Sequence, residues 1–222
     1  MAYDAQSIIS AIQTRGKDPD VSDTLVLSWV QEVQDEALGE YRFPFLEVTL
    51  NDTLTTNDIG YTLPSANQEV LGLVLTDPDS NSDYVVPYAA YREFDKKFPN
   101  PTTETATLPY YWTSYAGVVY WSQPLDKDYL LRLRYLRKPV ELTTTTQPDI
   151  PQEYKQLLIR GGLSRLEEYR ENFDIAAFHA RKVEDLTADL LRRYSARQRM
   201  TPGKATTSMP YNDPLDNQGW RL

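Results

Sequence analysis

The sequence holds one histidine and no cysteine, which narrows its chemistry at once. A Ser-His-Asp triad would have to use His179, yet no G-x-S-x-G nucleophile elbow accompanies it. A single histidine without cysteine cannot supply the nitrogen and sulfur ligands that zinc takes. The missing cysteines also exclude thiolate nucleophiles, disulfides and Cys-ligated iron–sulfur clusters, and they fit folding in a reducing cytosol. Neither common glycine-rich phosphate loop occurs. Carboxylates are plentiful, at 32 Asp and Glu, so a carboxylate-pair hydrolase stays open by count, but no pair is marked out. Asp77, Asp79, Asn81 and Asp83 alternate as in a calcium loop. Position six of that register is Ser82 and position twelve Tyr88, where such a loop needs Gly and Glu, so a turn between strands is the better reading. We therefore expect no catalytic residue, no metal site and no cofactor.

Two clusters are suited to binding. Tyr110, Tyr111, Trp112, Tyr115, Tyr120 and Trp121 could stack on sugar rings or form hot spots of a protein interface. Alternation along strands sends about half of such residues into a core. Tyr111, Trp112, Tyr115 and Trp121 are the candidates for a surface role. The second cluster is Arg192, Arg193, Arg197, Arg199 and Lys204. Cations at a helix end complement the negative pole of its dipole, but these are denser than one helix end needs. They lead into a segment with Tyr211, Trp220 and Arg221, the composition of a tail that orders on a partner.

Charge is spread unevenly around the net of −9. Residues 1–150 carry −11, residues 151–204 carry +3 and the remainder −1. An acidic body argues against tight nucleic-acid binding, which needs cations to displace condensed counterions, and it keeps an abundant protein in solution. No stretch of about eighteen apolar residues is present, so no membrane span is expected. The first residues lack the basic and apolar regions of a signal peptide.

The elements that must position these residues follow from periodicity. Ala5, Ile8, Ile9 and Ile12 repeat at helical spacing until Gly16 and Asp18-Pro19 end the run. Ser22 is placed to cap a second helix, whose stripe is Val26, Trp29, Val30, Val33 and Ala37, closed by Gly39. From about 42 to 140 the period becomes two. The runs Phe45–Leu50, Ile59–Leu63, Glu69–Thr76, Asp83–Tyr88, Pro109–Ser114, Gly117–Ser122 and Asp128–Leu136 are short and rich in β-branched and aromatic residues. A helical turn or two is expected within Ala89–Phe98. Pro148-Asp149-Ile150-Pro151 announces a third helix with stripe Tyr154, Leu157, Leu158, Leu166 and Tyr169. Gly161-Gly162 within it would let another backbone approach, at about 1 kcal/mol of helix propensity each. Asp174 is placed to cap a fourth helix lined by Ala176, Ala180, Val183, Leu186, Thr187, Leu190, Leu191 and Tyr194.

Isolated helix pairs make poor cores, so the first pair should pack on the second. The expectation is an α+β fold: a discontinuous four-helix bundle (1–41 and 148–200), an inserted small antiparallel β-sandwich or barrel (42–147) and an extended C-terminal tail (201–222).

Several stretches carry a family likeness. They are Trp29 to Tyr41, leading into the β insert, and the late strands with Tyr111-Trp112, Gly117-Val118-Val119-Tyr120, Pro124 and Asp128-Tyr129. The exit strand Arg134-Tyr135-Leu136-Arg137-Lys138-Pro139 with Leu142 is another. The last is Asp149-Ile150-Pro151 with Tyr154, Leu157-Leu158 and Gly161-Gly162, where alanine is the commoner residue at Gly162. Together they resemble the head-to-tail connector, or adaptor, proteins in the neck of tailed bacteriophages. The resemblance implies a structural virion protein made in the host cytoplasm. It implies a homo-oligomeric ring, a dodecamer matching the portal protein above it, with a tail or nozzle protein below. DNA would pass through without specific binding, and no membrane would be involved. The segment from Arg192 to Leu222 would dock on the portal or a neighbouring subunit. A carbohydrate- or receptor-binding module that uses the Tyr/Trp cluster is the alternative.

Overall fold

A computed structural model describes residues 3–39 and 41–199, with side chains through residue 194. Its five helices are α1 (Ala5–Gly16), α2 (Asp23–Gly39), α3 (Tyr91–Lys97), α4 (Lys155–Tyr169) and α5 (Phe173–Arg199). The strands are β1 (Glu47–Leu54), β2 (Gly60–Thr62), β3 (Asn67–Asp77), β4 (Ser82–Val85), β5 (Trp112–Tyr115), β6 (Val118–Trp121) and β7 (Tyr129–Arg137). The fold is α+β, in the order read from the sequence.

Local chemistry explains the boundaries. Asp4 Oδ1 accepts from the Ser7 amide at 2.8 Å and starts α1; Lys17, left-handed at φ 53°, ends it. Ser22 Oγ accepts from the Leu25 amide at 3.3 Å, as a cap for α2 should. Among the boundaries that differ from expectation, two have a clear local cause. The β1 run was read from Phe45, but Pro44–Leu46 forms a 3-10 turn and β1 begins at Glu47, because Pro44 favours a turn. Asp174 lies in the first turn of α5 rather than at its cap; the Asn172 carbonyl accepts from Ile175 and Ala176 instead.

The helical layer is organised by α4. On one side Gly161 faces Val33 of α2 and Gly162 faces Ile12 of α1. On another, Ser164 Oγ donates to the Ala176 carbonyl of α5 at 3.0 Å, and Arg160 reaches His179. The two glycines accommodate side chains, not the neighbouring backbone expected from their pairing. Tyr169, assigned to the buried stripe of α4, is 66% exposed, although its ring meets Trp29 at 5.9 Å. It sits at the last position of its helix, where the layer runs out.

The strands make two antiparallel sheets, ordered β1-β7-β3-β4 and β2-β6-β5. Both contribute to one core, in which Leu73, Leu131 and Leu133 of the first meet Trp112, Val119 and Trp121 of the second. A separate core unites Ile8, Ile12, Val30, Leu158 and Leu166 with Phe43, Leu136 and Ile150, residues that lead into and out of the strands. β7 thus serves both: Leu133 belongs to the sheet core and Leu136 to the helical one.

A clamp joins the two cores. The Arg137 guanidinium grips Asp149 through both carboxylate oxygens, and the same carboxylate accepts from the Val140 amide at 2.7 Å. Gln34, fully buried, donates to the Val140 carbonyl at 3.0 Å and accepts from the Asp149 amide at 2.9 Å. Gln31 accepts from the Leu142 amide at 2.7 Å. The chain leaving β7 is therefore fixed to α2 before it enters α4.

Candidate interaction surfaces

The residues with chemical potential are mostly occupied with structure. His179 on α5 is within 3.2 Å of Arg160 and edge-on to Phe178 at 5.4 Å. Burial, and then the Arg160 charge, push its pKa below the usual histidine value. A histidine facing a guanidinium is a poor general base, because the imidazolium it would become is repelled.

The carboxylates of the 77–83 turn are likewise committed. Asp77 accepts from Lys127 Nζ at 2.6 Å, from Ser80 Oγ and from the Asp79 amide. Asp83 accepts from Thr76 Oγ1 and Arg132. This is an Asx-type turn that holds its own backbone and a lysine, with Asn81 left-handed at φ 53°. Among the described residues no group of three or more His, Cys, Asp or Glu is placed to hold a metal ion.

The aromatic cluster divides. Trp112 and Trp121 are 3% and 0% exposed, so these two proposed surface residues belong to the core. As partners across β5 and β6 they point inward together. Tyr111 is half-buried, beneath the Lys97 ammonium. Tyr115 is 55% exposed and stacks on Tyr91 of α3, with centroids 4.4 Å apart. Tyr88 is exposed as well, beside Trp112. Tyr88 and Tyr91 lie outside the cluster read from the sequence, because a bridge between Tyr88 and Trp112 brings a distant segment alongside β5.

At the basic end of α5, Arg192 pairs with Asp189 at 2.5 Å and Arg193 with Glu153 at 3.4 Å. Tyr154 also donates to Asp189, at 2.8 Å; this hydrogen bond first, and then Arg192, hold the Asp189 carboxyl below the usual range. Tyr194 caps the region by meeting Phe45 edge-on at 5.2 Å. The side chains of Arg197 and Arg199, and residues Lys204, Tyr211, Trp220 and Arg221, lie outside the described residues. Arg192 and Arg193 are therefore surface residues already tied to their own helix layer.

The surface that sequence reasoning missed is apolar. Tyr169, Phe173, Ile175 and Phe178 are each at least 50% exposed at the α4–α5 turn. Single exposed apolar residues are ordinary, but four gathered about one turn make a candidate contact surface. The signal was available: Ile175 and Phe178 fall off the Ala176–Ala180–Val183 stripe, on what should be a polar face.

The sequence profile described as SU10 adaptor protein matches residues 3–206. The chain belongs to that family. The match covers nearly the whole chain and bears out the resemblance to phage head-to-tail adaptors read from the strand and helix motifs. No curated protein matches the chain. No helix among the described residues is long and apolar enough to cross a membrane.

Proposed function

We propose that this adaptor-family chain acts as a head-to-tail adaptor of a tailed phage. It forms a ring that joins the portal protein to the tail and lets DNA pass through its centre. The near-complete family match carries the reading. Several observations support it. The apolar residues at the α4–α5 turn supply the kind of exposed surface that subunit contacts bury. The acidic first 150 residues repel phosphate, so a genome would slide past them. The paired, structural use of His179 and the turn carboxylates suits a protein that works by shape, without catalysis.

In this proposal the helical domain is 1–41 with 148–200, the β domain 42–147, and the tail 201–222. The strand core lies wholly within 42–147, which supports that division, while Phe43, Leu46, Leu136 and Leu142 at the edges of this stretch join the helical core. The α5 end with Arg192 and Arg193, continuing through Arg197, Arg199 and Lys204 to Tyr211, Trp220 and Arg221, would meet the portal or a neighbouring subunit. The protein would reside at the neck of the virion, with a tail or nozzle protein beneath it.

The test is negative-stain electron microscopy of virions labelled with an antibody to this chain. Label at the junction between head and tail is the expected result. Label on a fibre or baseplate, or its absence from the particle, would overturn the assignment.

A further inference from the structure

A cleft of about 400 Å³ opens between the start of β3 and the Tyr88–Trp112 bridge. Its size lies in the range of small-ligand pockets, about 300–1,000 Å³. Arg42, Asn67, Gln68, Glu69, Tyr88 and Ser114 supply the chemistry of its wall.

Three features make this more than a surface dent. The first is the backbone of β3. Its pairing with β7 slips between Asn67 and Glu69 and again between Val70 and Gly72. The residues skipped, Gln68 and Leu71, both line the cleft. Bulges re-aim side chains and gather beside binding sites, and two in succession along one wall turn that wall out of the ladder.

The second is a fixed aromatic ring. Tyr88 is 56% exposed and meets Trp112 at 4.8 Å with an interplanar angle of 62°. Trp112 is itself locked, its Nε1 donating to the Val86 carbonyl at 2.9 Å. The backbone on either side of Tyr88 is held by Ala89 N to Trp112 O at 2.9 Å and Trp112 N to Pro87 O at 3.0 Å. The ring is exposed yet pre-positioned, so it loses little freedom on binding.

The third is charge. Arg42 and Glu69 form an ion pair across the wall, so the cleft is polar but nearly neutral. A phosphate or carboxylate ligand would find its cation already matched, and a cationic ligand its anion. What remains is a set of planar amide, carboxylate and guanidinium groups, with a hydroxyl, beside an aromatic ring. Such groups donate and accept in pairs spaced for adjacent hydroxyls. An aromatic face takes the C–H side of a sugar ring.

We propose that this cleft is a binding site for a neutral saccharide, stacked on Tyr88 and hydrogen-bonded by Asn67, by the Arg42–Glu69 pair and by Oε1 of Gln68, whose Nε2 donates to the Gly39 carbonyl at 3.3 Å. It shares the buried Trp112 with the cluster read from the sequence but none of Tyr111, Tyr115 or Trp121, and it stands independently of the adaptor assignment. The same site would serve an adaptor exposed on the particle or a receptor-binding protein.

The test uses the full chain and four probes, the sugars D-glucose, D-galactose and N-acetyl-D-glucosamine and one peptide, titrated by saturation-transfer NMR. At least one sugar gives saturable binding in the millimolar range, at least tenfold weaker in Tyr88→Ala and in Asn67→Ala and unchanged in Phe178→Ala. Unchanged thermal unfolding of the Tyr88 variant shows that the loss is local, because that side chain is already exposed. No saturation by any of the three sugars up to about 50 mM, far above the millimolar range of weak sites, overturns the proposal. So does binding that survives both substitutions, or binding only of a proline-rich decapeptide offered as a fourth probe.

Discussion

Gly161 of α4 faces Val33 of α2 so closely that a β-carbon added there would stand 2.5 Å from both of its γ-methyl carbons and 3.0 Å from its Cβ. Rotating Val33 cannot clear the space, because its Cβ is part of the obstruction. The adjacent Gly162 is different: a β-carbon there would overlap chiefly the terminal Cδ1 of Ile12, an atom that one side-chain rotation moves. Overpacking costs about 1–3 kcal/mol, and alanine regains about 1 kcal/mol of helix propensity over glycine. Gly161→Ala should therefore lower the melting temperature, while Gly162→Ala stays near neutral. Thermal denaturation of the two variants separates them, and equal losses would show that helix separation, not Val33, sets the limit.

The Arg137–Asp149 clamp yields a second expectation. Asp149→Ala leaves a part-buried guanidinium and the Val140 amide without their acceptor. Breaking one side of such a pair costs about 2–4 kcal/mol. Chemical denaturation should register that loss. An effect below about 0.5 kcal/mol, the size of an ordinary surface change, would show that the link between the cores does not depend on this carboxylate.

Acid should find Asp77. The Lys127 hydrogen bond first, with the Asp79 amide and Ser80 hydroxyl, holds its pKa down to about 2 from 3.8. A depressed carboxylate stabilises the fold above its unfolded pKa and loses that contribution as pH falls toward the folded value. The loss should thus run from about pH 4 down to about pH 2. Asp77→Asn should flatten the stability profile across that window. A variant that keeps the same slope would assign the acid sensitivity elsewhere.

The exposed pair Ile175 and Phe178 offers a test of assembly. Replacing both with Asp adds charge at sites with little to lose in the isolated fold, so stability should move by about 0.5 kcal/mol or less. In the proposed ring the same change should cut self-association. Light scattering after size-exclusion chromatography reads the mass directly. A full-size assembly from the doubly substituted chain would place the subunit contact away from this turn.

Much of this architecture was legible in the sequence, because local signals carried it. The Ile8–Ile9–Ile12 and Val26–Val30–Val33 stripes named both N-terminal helices, and alternation named all seven strand regions. Signals that depend on distant partners were not legible. Nothing in the order of residues says that Tyr88 bridges to Trp112, so the buried Trp112 reads as a surface candidate and the exposed Tyr88 goes unremarked. Pro44 outweighed the alternation at Phe45, and the end of the layer left Tyr169 exposed despite its helical register. The clamp was invisible for the same reason, since Gln34 and Asp149 are polar residues whose burial only the tertiary fold creates.

One topological fact bears on how the molecule comes into being. β1 pairs with β7 from Glu47↔Leu136 to Leu54↔Tyr129, and Ile12 meets Gly162. At about 5–20 residues per second, a ribosome adds the stretch between those helical partners in roughly 10–30 s. Throughout that interval α1 and α2 have each other but not α4, and β1 has no neighbour on its sheet until β7 (Tyr129–Arg137) follows. The nascent chain thus carries an open strand edge until β7 emerges and greasy helix faces until α4 does, so the strand core closes first and the helical core last. A premature stop before α4 would keep the strand core, whose buried residues run from Leu54 to Tyr135, but would leave α1 and α2 uncovered, a fragment open to proteolysis or aggregation.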